Sequence, residues 1–80
     1  MNPQEIIDLF AEAIEVEPSA LTPETVIAEV PEWNSLGWLT IMSLLDERYE
    51  IRLTAKQIRS FKVVNDAICA VSDQLAAVKG

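Results

Sequence analysis

Few residues of this sequence could do chemistry, and one serine stands out among them. Ser35 lies in the run NSLG, between two tryptophans, at the head of an apolar segment. The 80-residue chain contains no histidine and one cysteine, which excludes a Ser-His-Asp triad, a Cys-His pair and a zinc site built from these ligands. The carboxylates follow the spacing of solvated helix surfaces. We therefore predict that the chain is not an enzyme, and we assign it no catalytic residue and no metal site.

The charge of the chain is strongly negative and unevenly distributed. Thirteen acidic and six basic residues give a net charge of -7, and such a surface repels nucleic-acid phosphates and anionic lipid headgroups. Residues 1–47 hold ten acidic and no basic residues, whereas residues 48–80 hold six basic and three acidic ones. We expect neither nucleic acid nor membrane as a partner. The second half predicts a compact basic patch formed by Arg48, Arg52, Lys56, Arg59 and Lys62.

Length and composition are typical of one small globular domain. A chain of 80 residues with half of them hydrophobic forms a packed but marginally stable core. No apolar run approaches the ~20 residues that span a bilayer, and the start lacks the pattern of a signal peptide. We therefore predict a single domain over residues 1–80 that is monomeric, soluble and cytoplasmic.

The first half of the chain predicts one helix followed by a long loop. Asn2 as N-cap and Pro3 at the first helical position begin the helix, and its apolar face continues to about Val16. Pro18 ends it. The segment 17–33 is predicted to be a loop that contacts the core at intervals, with one short turn near residues 24–28.

The second half predicts two long helices around a short one. Either Asn34 or Ser35 caps the second helix, and Thr54 with Gln57 forms a capping box for the short helix. The second helix has an apolar stripe made of Leu36, Leu39, Met42 or Ser43, Leu45 and Tyr49, and Ile41 and Leu44 widen it, which indicates contact on two sides. The last helix has a regular stripe made of Val64, Ile68, Val71, Leu75 and Val78. The predicted fold is all-α: a small four-helix bundle with three long helices, one short helix and a long first connection.

Two aromatic residues and one thiol need separate interpretation. At least one of Trp33 and Trp38 is expected in the core. If Trp38 is the exposed one, its indole beside the helix start would anchor a partner. Cys69 lies about 140° from the stripe of its helix, so we expect an exposed thiol without a catalytic role.

The stretch WNSLGWLTIMSLLDERYEI resembles the start of the second helix in acyl carrier proteins, where W-D-S-L-G is typical. The resemblance covers nearly the whole chain, including the long loop and VVNDAICAV at the last helix. It implies that a separate phosphopantetheinyl transferase moves 4′-phosphopantetheine from coenzyme A to Ser35, and that Asn34, Leu36 and Gly37 complete the attachment motif. The thiol of the arm would then carry an acyl or aminoacyl group between loading and acyl-using enzymes. Gly37, without a side chain, is expected to leave the approach to Ser35 open.

The resemblance also implies partner and cargo contacts. Asn34 replaces the usual aspartate, and the first half of the second helix lacks the acids that partners of fatty-acid carriers recognise, which favours partners of a dedicated biosynthetic cluster. The expected partner-binding residues are Trp38, Thr40, Ile41, Asp46, Glu47, Lys56 and Arg59. The cargo would shelter at the junction of helices two to four, against Leu39, Met42, Leu45, Ile58, Phe61, Val64 and Ile68.

A second reading of the same residues remains open. The chain could be an unmodified carrier-like interaction module, in which Asn34 marks the loss of the attachment site. Such a module would bind a protein partner through Trp38 and the second helix.

Overall fold

The computed structural model describes residues 2–79, with side chains up to residue 76. Its helices are α1 (Pro3–Ile14), α2 (Ser35–Tyr49), α3 (Ala55–Ser60) and α4 (Val64–Lys79). Within residues 2–79 there is no β-strand, and Val26 and Val63 form one isolated antiparallel bridge. The predicted all-α bundle of three long helices and one short helix is therefore confirmed.

Helix α1 begins where the sequence predicts and ends two residues early. The side chain of Asn2 accepts a hydrogen bond from the Glu5 amide at 2.9 Å, and Pro3 is the first helical residue. Glu15 adopts a left-handed conformation with φ 59°, and the Val16 amide donates to the Ala11 carbonyl at 3.0 Å. This closing turn satisfies carbonyls at the helix end. The inward face of α1 forms a large share of the core, through Ile6, Ile7, Leu9, Phe10, Ala11, Ala13 and Ile14.

The loop between α1 and α2 is anchored at intervals, as predicted. Leu21 and Ile27 are buried in the core, and short 3-10 turns lie at Pro18–Ala20 and Ile27–Glu29. Beside the bridge, the Ile27 amide donates to the Lys62 carbonyl at 3.0 Å, and the Val64 amide donates to the Thr25 carbonyl at 2.9 Å. The loop is thus joined to the segment that begins α4.

The buried face of α2 differs from the predicted one. Leu36 and Leu39 were expected to point inward, but they are 71% and 62% exposed. The buried residues of the helix are Gly37, Ile41 and Leu45. Because apolar residues occur on nearly every side of α2, their spacing does not determine which side faces the core. That choice is made by packing against α1, with which α2 makes its most extensive helix contact.

The remaining helices follow the sequence closely. Thr54 and Gln57 form the predicted capping box, with bonds of 3.1 and 2.9 Å. The predicted α4 stripe is buried at Val64, Ile68 and Val71 and partly buried at Leu75, while the Val78 side chain lies outside the described part. In the part of the chain that the structure describes, no helix has both the length and the apolar character needed to cross a membrane.

Candidate functional site

Ser35 is the first residue of α2, and its side chain is exposed. The capping role belongs to Asn34, whose Oδ1 accepts a hydrogen bond from the Gly37 amide at 3.0 Å. The Asn34 Nδ2 also donates to the Pro31 carbonyl at 3.4 Å. Among the described residues, the Ser35 hydroxyl makes no hydrogen bond. The serine is therefore presented at a helix N-terminus, where backbone amides and the helix dipole favour an anionic group.

Gly37 also has a packing role that the sequence did not predict. It is buried on the side of α2 that faces α1, where it lines the groove between the two helices. A Cβ at this position would lie 2.8 Å from the Glu32 carbonyl oxygen and 3.0 Å from Ile14 Cγ2. Glycine is required because the first turn of α2 passes so close to the loop backbone and α1.

An exposed strip runs along α2 directly below Ser35. Leu39, Met42 and Asp46 follow Ser35 at intervals of four, three and four residues, and such positions share one helix face. Leu39 and Met42 line an open groove of about 350 Å³ together with Ser43, Asp46, Arg52 and Leu53. Leu53 was missed by the sequence analysis because the short segment between α2 and α3 has no periodicity. The strip therefore leads from the serine into a partly apolar groove.

The two tryptophans belong to one aromatic row through the bundle. Trp33 is buried, with its ring centroid 5.3 Å from that of Phe10 and 5.2 Å from that of Trp38. Trp38 is only half-buried, and its ring centroid lies 6.0 Å from that of Phe61. The Trp38 indole is held inside this row, so the condition for a projecting anchor is not met. The Trp33 Nε1–H group is buried and has no hydrogen-bond partner among the residues that the structure describes.

The other predicted partner contacts on α2 have mixed outcomes. Ile41 is wrongly placed in that set, because it is completely buried in the core and cannot meet a partner. Thr40 is half-buried, and its hydroxyl donates to the Leu36 carbonyl at 3.1 Å. Asp46 and Glu47 are exposed. Ile41 was assigned both to the widened stripe and to the partner contacts because the apolar residues of α2 do not define one buried face.

The seven predicted cargo residues do not line one pocket. Leu45, Val64 and Ile68 are buried core residues, and Ile58 and Phe61 are partly buried against the core. Leu39 is mostly exposed, in contrast to its predicted place at the helix junction, and with Met42 it lines the outer groove instead. The groove and the core are therefore separate environments.

The predicted basic patch is divided by ion pairs. Arg48 binds Glu12 of α1 through two hydrogen bonds, of 3.4 and 2.5 Å, and these bonds together with the charge of Glu12 raise the pKa of Arg48. Arg52 Nε binds Asp46 Oδ1 at 3.2 Å. Lys56, Arg59 and Lys62 are exposed and form no ion pair with any residue in the described part. Among the side chains of residues 2–76, the basic groups without an ion pair are therefore those of Lys56 and Arg59 in α3 and of Lys62 just after it.

The side of the α2 start that faces α1 is acidic. A groove of about 470 Å³ between α1 and α2 contains three glutamates among its lining residues: Glu12, Glu15 and Glu32. No cluster of His, Cys, Asp and Glu within residues 2–79 is arranged to hold a metal ion. Cys69 is exposed, as predicted. Ser35 therefore lies beside this acidic groove, at the head of a strip that carries no charge before Asp46.

Comparison with known proteins agrees with this geometry. No family model matches the chain. An acyl carrier protein from Thermosynechococcus vestitus is 25% identical over 81 residues, which cover 96% of this chain and all of the relative. The solution NMR structure of a holo acyl carrier protein from Geobacter metallireducens superimposes with a TM-score of 0.81 at 22% identity, covering 96% of this chain and 88% of that one. The predicted resemblance is confirmed: the chain has the fold of acyl carrier proteins and is similar to them over nearly its whole length.

Proposed function

We propose that this chain is a carrier protein, and not itself a catalyst, whose Ser35 bears 4′-phosphopantetheine. The observation that carries the proposal is the exposed Ser35 at the N-terminus of α2, relieved of capping by Asn34. Similarity to acyl carrier proteins over nearly the whole chain supports it. The thiol of the arm would hold an acyl or aminoacyl group as a thioester and deliver it to partner enzymes.

The attachment reaction needs only a presented hydroxyl from this chain. The Ser35 oxygen attacks the phosphorus that carries the pantetheine arm in coenzyme A, a phosphorus–oxygen bond to the second phosphate breaks, and 3′,5′-ADP leaves. The proton of the hydroxyl passes to a base on the separate phosphopantetheinyl transferase, which also supplies the metal ion. The α2 N-terminus stabilises the phosphodiester that remains on Ser35.

We further propose that the arm and the first atoms of its cargo lie along the outer strip of α2. A rise of about 1.5 Å per residue places Asp46 about 16 Å along the helix from Ser35. Leu39, Met42 and Leu53 offer apolar contact over this distance. The buried positions of Leu45 and Val64 favour this outer path, because cargo entering the core would have to displace packed side chains.

The mass of the intact protein tests attachment. Incubation with coenzyme A and a transferase should add one phosphopantetheine to the wild type and none to Ser35→Ala. Methyl NMR then tests the path of the arm. Loading an acyl group should shift the Leu39 and Met42 methyl signals more than those of buried Ile41 and Val64. Larger shifts at the buried methyls would place the cargo inside the bundle.

The alternative function is an unmodified interaction module. The half-buried position of Trp38 gives it less support, although Leu36 and Leu39 remain available to a protein partner. If no transferase modifies Ser35 while the fold is intact, this alternative replaces the carrier proposal.

A further inference from the structure

The surface around Ser35, Leu36 and Leu39, together with α3, is here called the docking face. We infer that Lys56 and Arg59 make this face selective for partner proteins that present carboxylates to α3. This inference rests on the proposed function, since it describes the partners that meet Ser35. The expected partner has an apolar docking centre and carries acidic residues where it faces α3. Partners with a basic surface at that position would be rejected by the same two residues.

The centre of the docking face carries no charge. From Ser35 to Leu45, helix α2 has no acidic or basic residue, and its outer side exposes two large apolar side chains, Leu36 and Leu39. A partner that docks at Ser35 therefore finds apolar contacts on α2 and no ion pair with this part of the helix. Charge recognition must come from the borders of the face.

Helix α3 forms one of these borders because the residues that flank it, Leu53 and Phe61, lie beside side chains of α2. Before α3, Leu53 lines the same groove as Leu39 and Met42. After α3, the Phe61 ring lies 6.0 Å from the Trp38 ring, between centroids. The six residues of α3 therefore cross beside the α2 strip, and a partner seated on the strip also meets α3.

The charge of this border is positive and uncompensated. Lys56 and Arg59 are three residues apart, so they share one side of α3, and both are exposed. Among the described residues neither forms an ion pair, whereas Arg48 and Arg52 are each bound to an acid. Two unpaired cations at an interface rim attract carboxylates and repel other cations.

The other border gives the face a direction. Glu15 and Glu32 lie on the opposite side of the α2 start, in the groove beside α1. A partner complementary to both borders has one docking orientation, with its acids over α3 and its bases over α1. The net charge of -7 does not show this local separation of acidic and basic borders.

A charge-swap binding experiment tests the inference. All carrier variants contain Ser35→Ala, so that docking is measured without transfer and independently of whether Ser35 is modified. The probes are a phosphopantetheinyl transferase with a basic docking surface and the same enzyme with its docking Arg and Lys residues changed to Glu. Titration calorimetry gives Kd for each pair at low salt and at about 1 M salt, where the Debye length is about 3 Å.

The expected result is a reciprocal change in affinity. Lys56→Glu with Arg59→Glu should bind the basic enzyme about tenfold more tightly than the parent does, and the acidic enzyme about tenfold less tightly. Both changes should shrink at high salt. The variant with Lys56→Gln and Arg59→Gln should bind each enzyme with an affinity between those of the parent and the Glu variant. Its control is Cys69→Asp with Ala76→Glu, which lowers the net charge by the same amount at exposed positions of α4.

Other outcomes would overturn the inference. Equal affinities for parent and reversed carriers, or no detectable binding by either, would show that α3 does not select partners by charge. An equal effect of the α4 control would reduce the result to overall charge. Failure of the carrier proposal would appear separately, as an unmodified wild type in the mass experiment.

Discussion

The Oδ1 atom of Asn34 lies 3.0 Å from the amide nitrogen of Gly37 and accepts its hydrogen bond. Through this bond Asn34 caps the helix, so the hydroxyl of Ser35 is not needed as the cap. Capping and presentation of the hydroxyl are thus divided between neighbours.

Replacing Asn34 with aspartate should leave the fold intact and speed the transferase. The new carboxylate can cap the helix, and its charge near the N-terminus contributes about 0.3 to 1 kcal/mol, against the loss of the weak bond to the Pro31 carbonyl. For a transferase adapted to fatty-acid carriers, we expect an initial rate about tenfold higher, equivalent to 1.4 kcal/mol. Circular dichroism of both proteins controls for folding. Equal rates would make Asn34 a neutral variant.

Gly37→Ala should destabilise the protein, although alanine is the better helix former by about 1 kcal/mol. The added methyl would meet the Glu32 carbonyl oxygen at 2.8 Å, and backbone moves away less easily than a flexible side chain. We expect a net loss of about 1 to 3 kcal/mol in urea unfolding, typical of overpacking. Ser43→Ala, at an exposed position of the same helix, is the control. A stabilised Gly37→Ala protein would mean that the loop yields without cost.

Trp33→Phe should lower the free energy of unfolding by much less than the lost ring volume suggests. The buried Nε1–H group has no acceptor in the described part of the chain, and an unsatisfied buried donor costs about 1 to 3 kcal/mol. Removing it offsets part of the lost packing, so we expect a change below about 1.5 kcal/mol in the free energy of unfolding. Trp33→Ala, which empties the aromatic row, should cost about 3 to 5 kcal/mol. Similar losses for both variants would indicate that a water molecule satisfies Nε1.

Asp66 should make the start of α4 sensitive to acid. Its Oδ2 accepts hydrogen bonds from the Lys62 and Val63 amides at 2.9 and 3.2 Å, and these bonds lower the pKa of Asp66. A carboxyl whose pKa is lower in the folded state stabilises the fold above its unfolded pKa of about 3.9, and this contribution disappears as pH falls through the folded value.

The corresponding measurement compares melting temperatures across pH. Asp66→Asn should melt below the wild type by a constant difference between about pH 5 and 7, and the difference should narrow below about pH 4. Asp73→Asn, at an exposed position of α4, removes the same charge without these bonds and serves as control. A difference that persists unchanged at low pH would assign the effect to geometry and not to ionisation.

The features that the sequence predicts best are local ones. The caps at Asn2 and Thr54 depend on residues within one turn, and the structure confirms both. The stripe of α4 could be predicted because no other large apolar side chain occurs on the helix. Each of these signals is complete within a short segment of chain.

The features that could not be predicted depend on contacts between distant segments. Helix α2 offers apolar residues on most sides, so the burial of Ile41 and the exposure of Leu39 are decided by α1. The role of Gly37 requires the position of the Glu32 carbonyl. The pairing of Arg48 with Glu12 joins residues 36 apart in sequence. Spacing within one helix contains none of this information.

The segments on both sides of α3 are hydrogen-bonded to the rest of the protein, whereas α3 itself is only partly buried. On one side, the Gln74 side chain donates to the Arg52 carbonyl at 2.8 Å; on the other, the Val64 amide is bonded to Thr25. The helix itself contains no fully buried residue. It is therefore the natural unit of local unfolding, and its amides should exchange with solvent hydrogen before those of α1. A partner that binds α3 can therefore change the conformation of its six residues without changing the packing of the other helices.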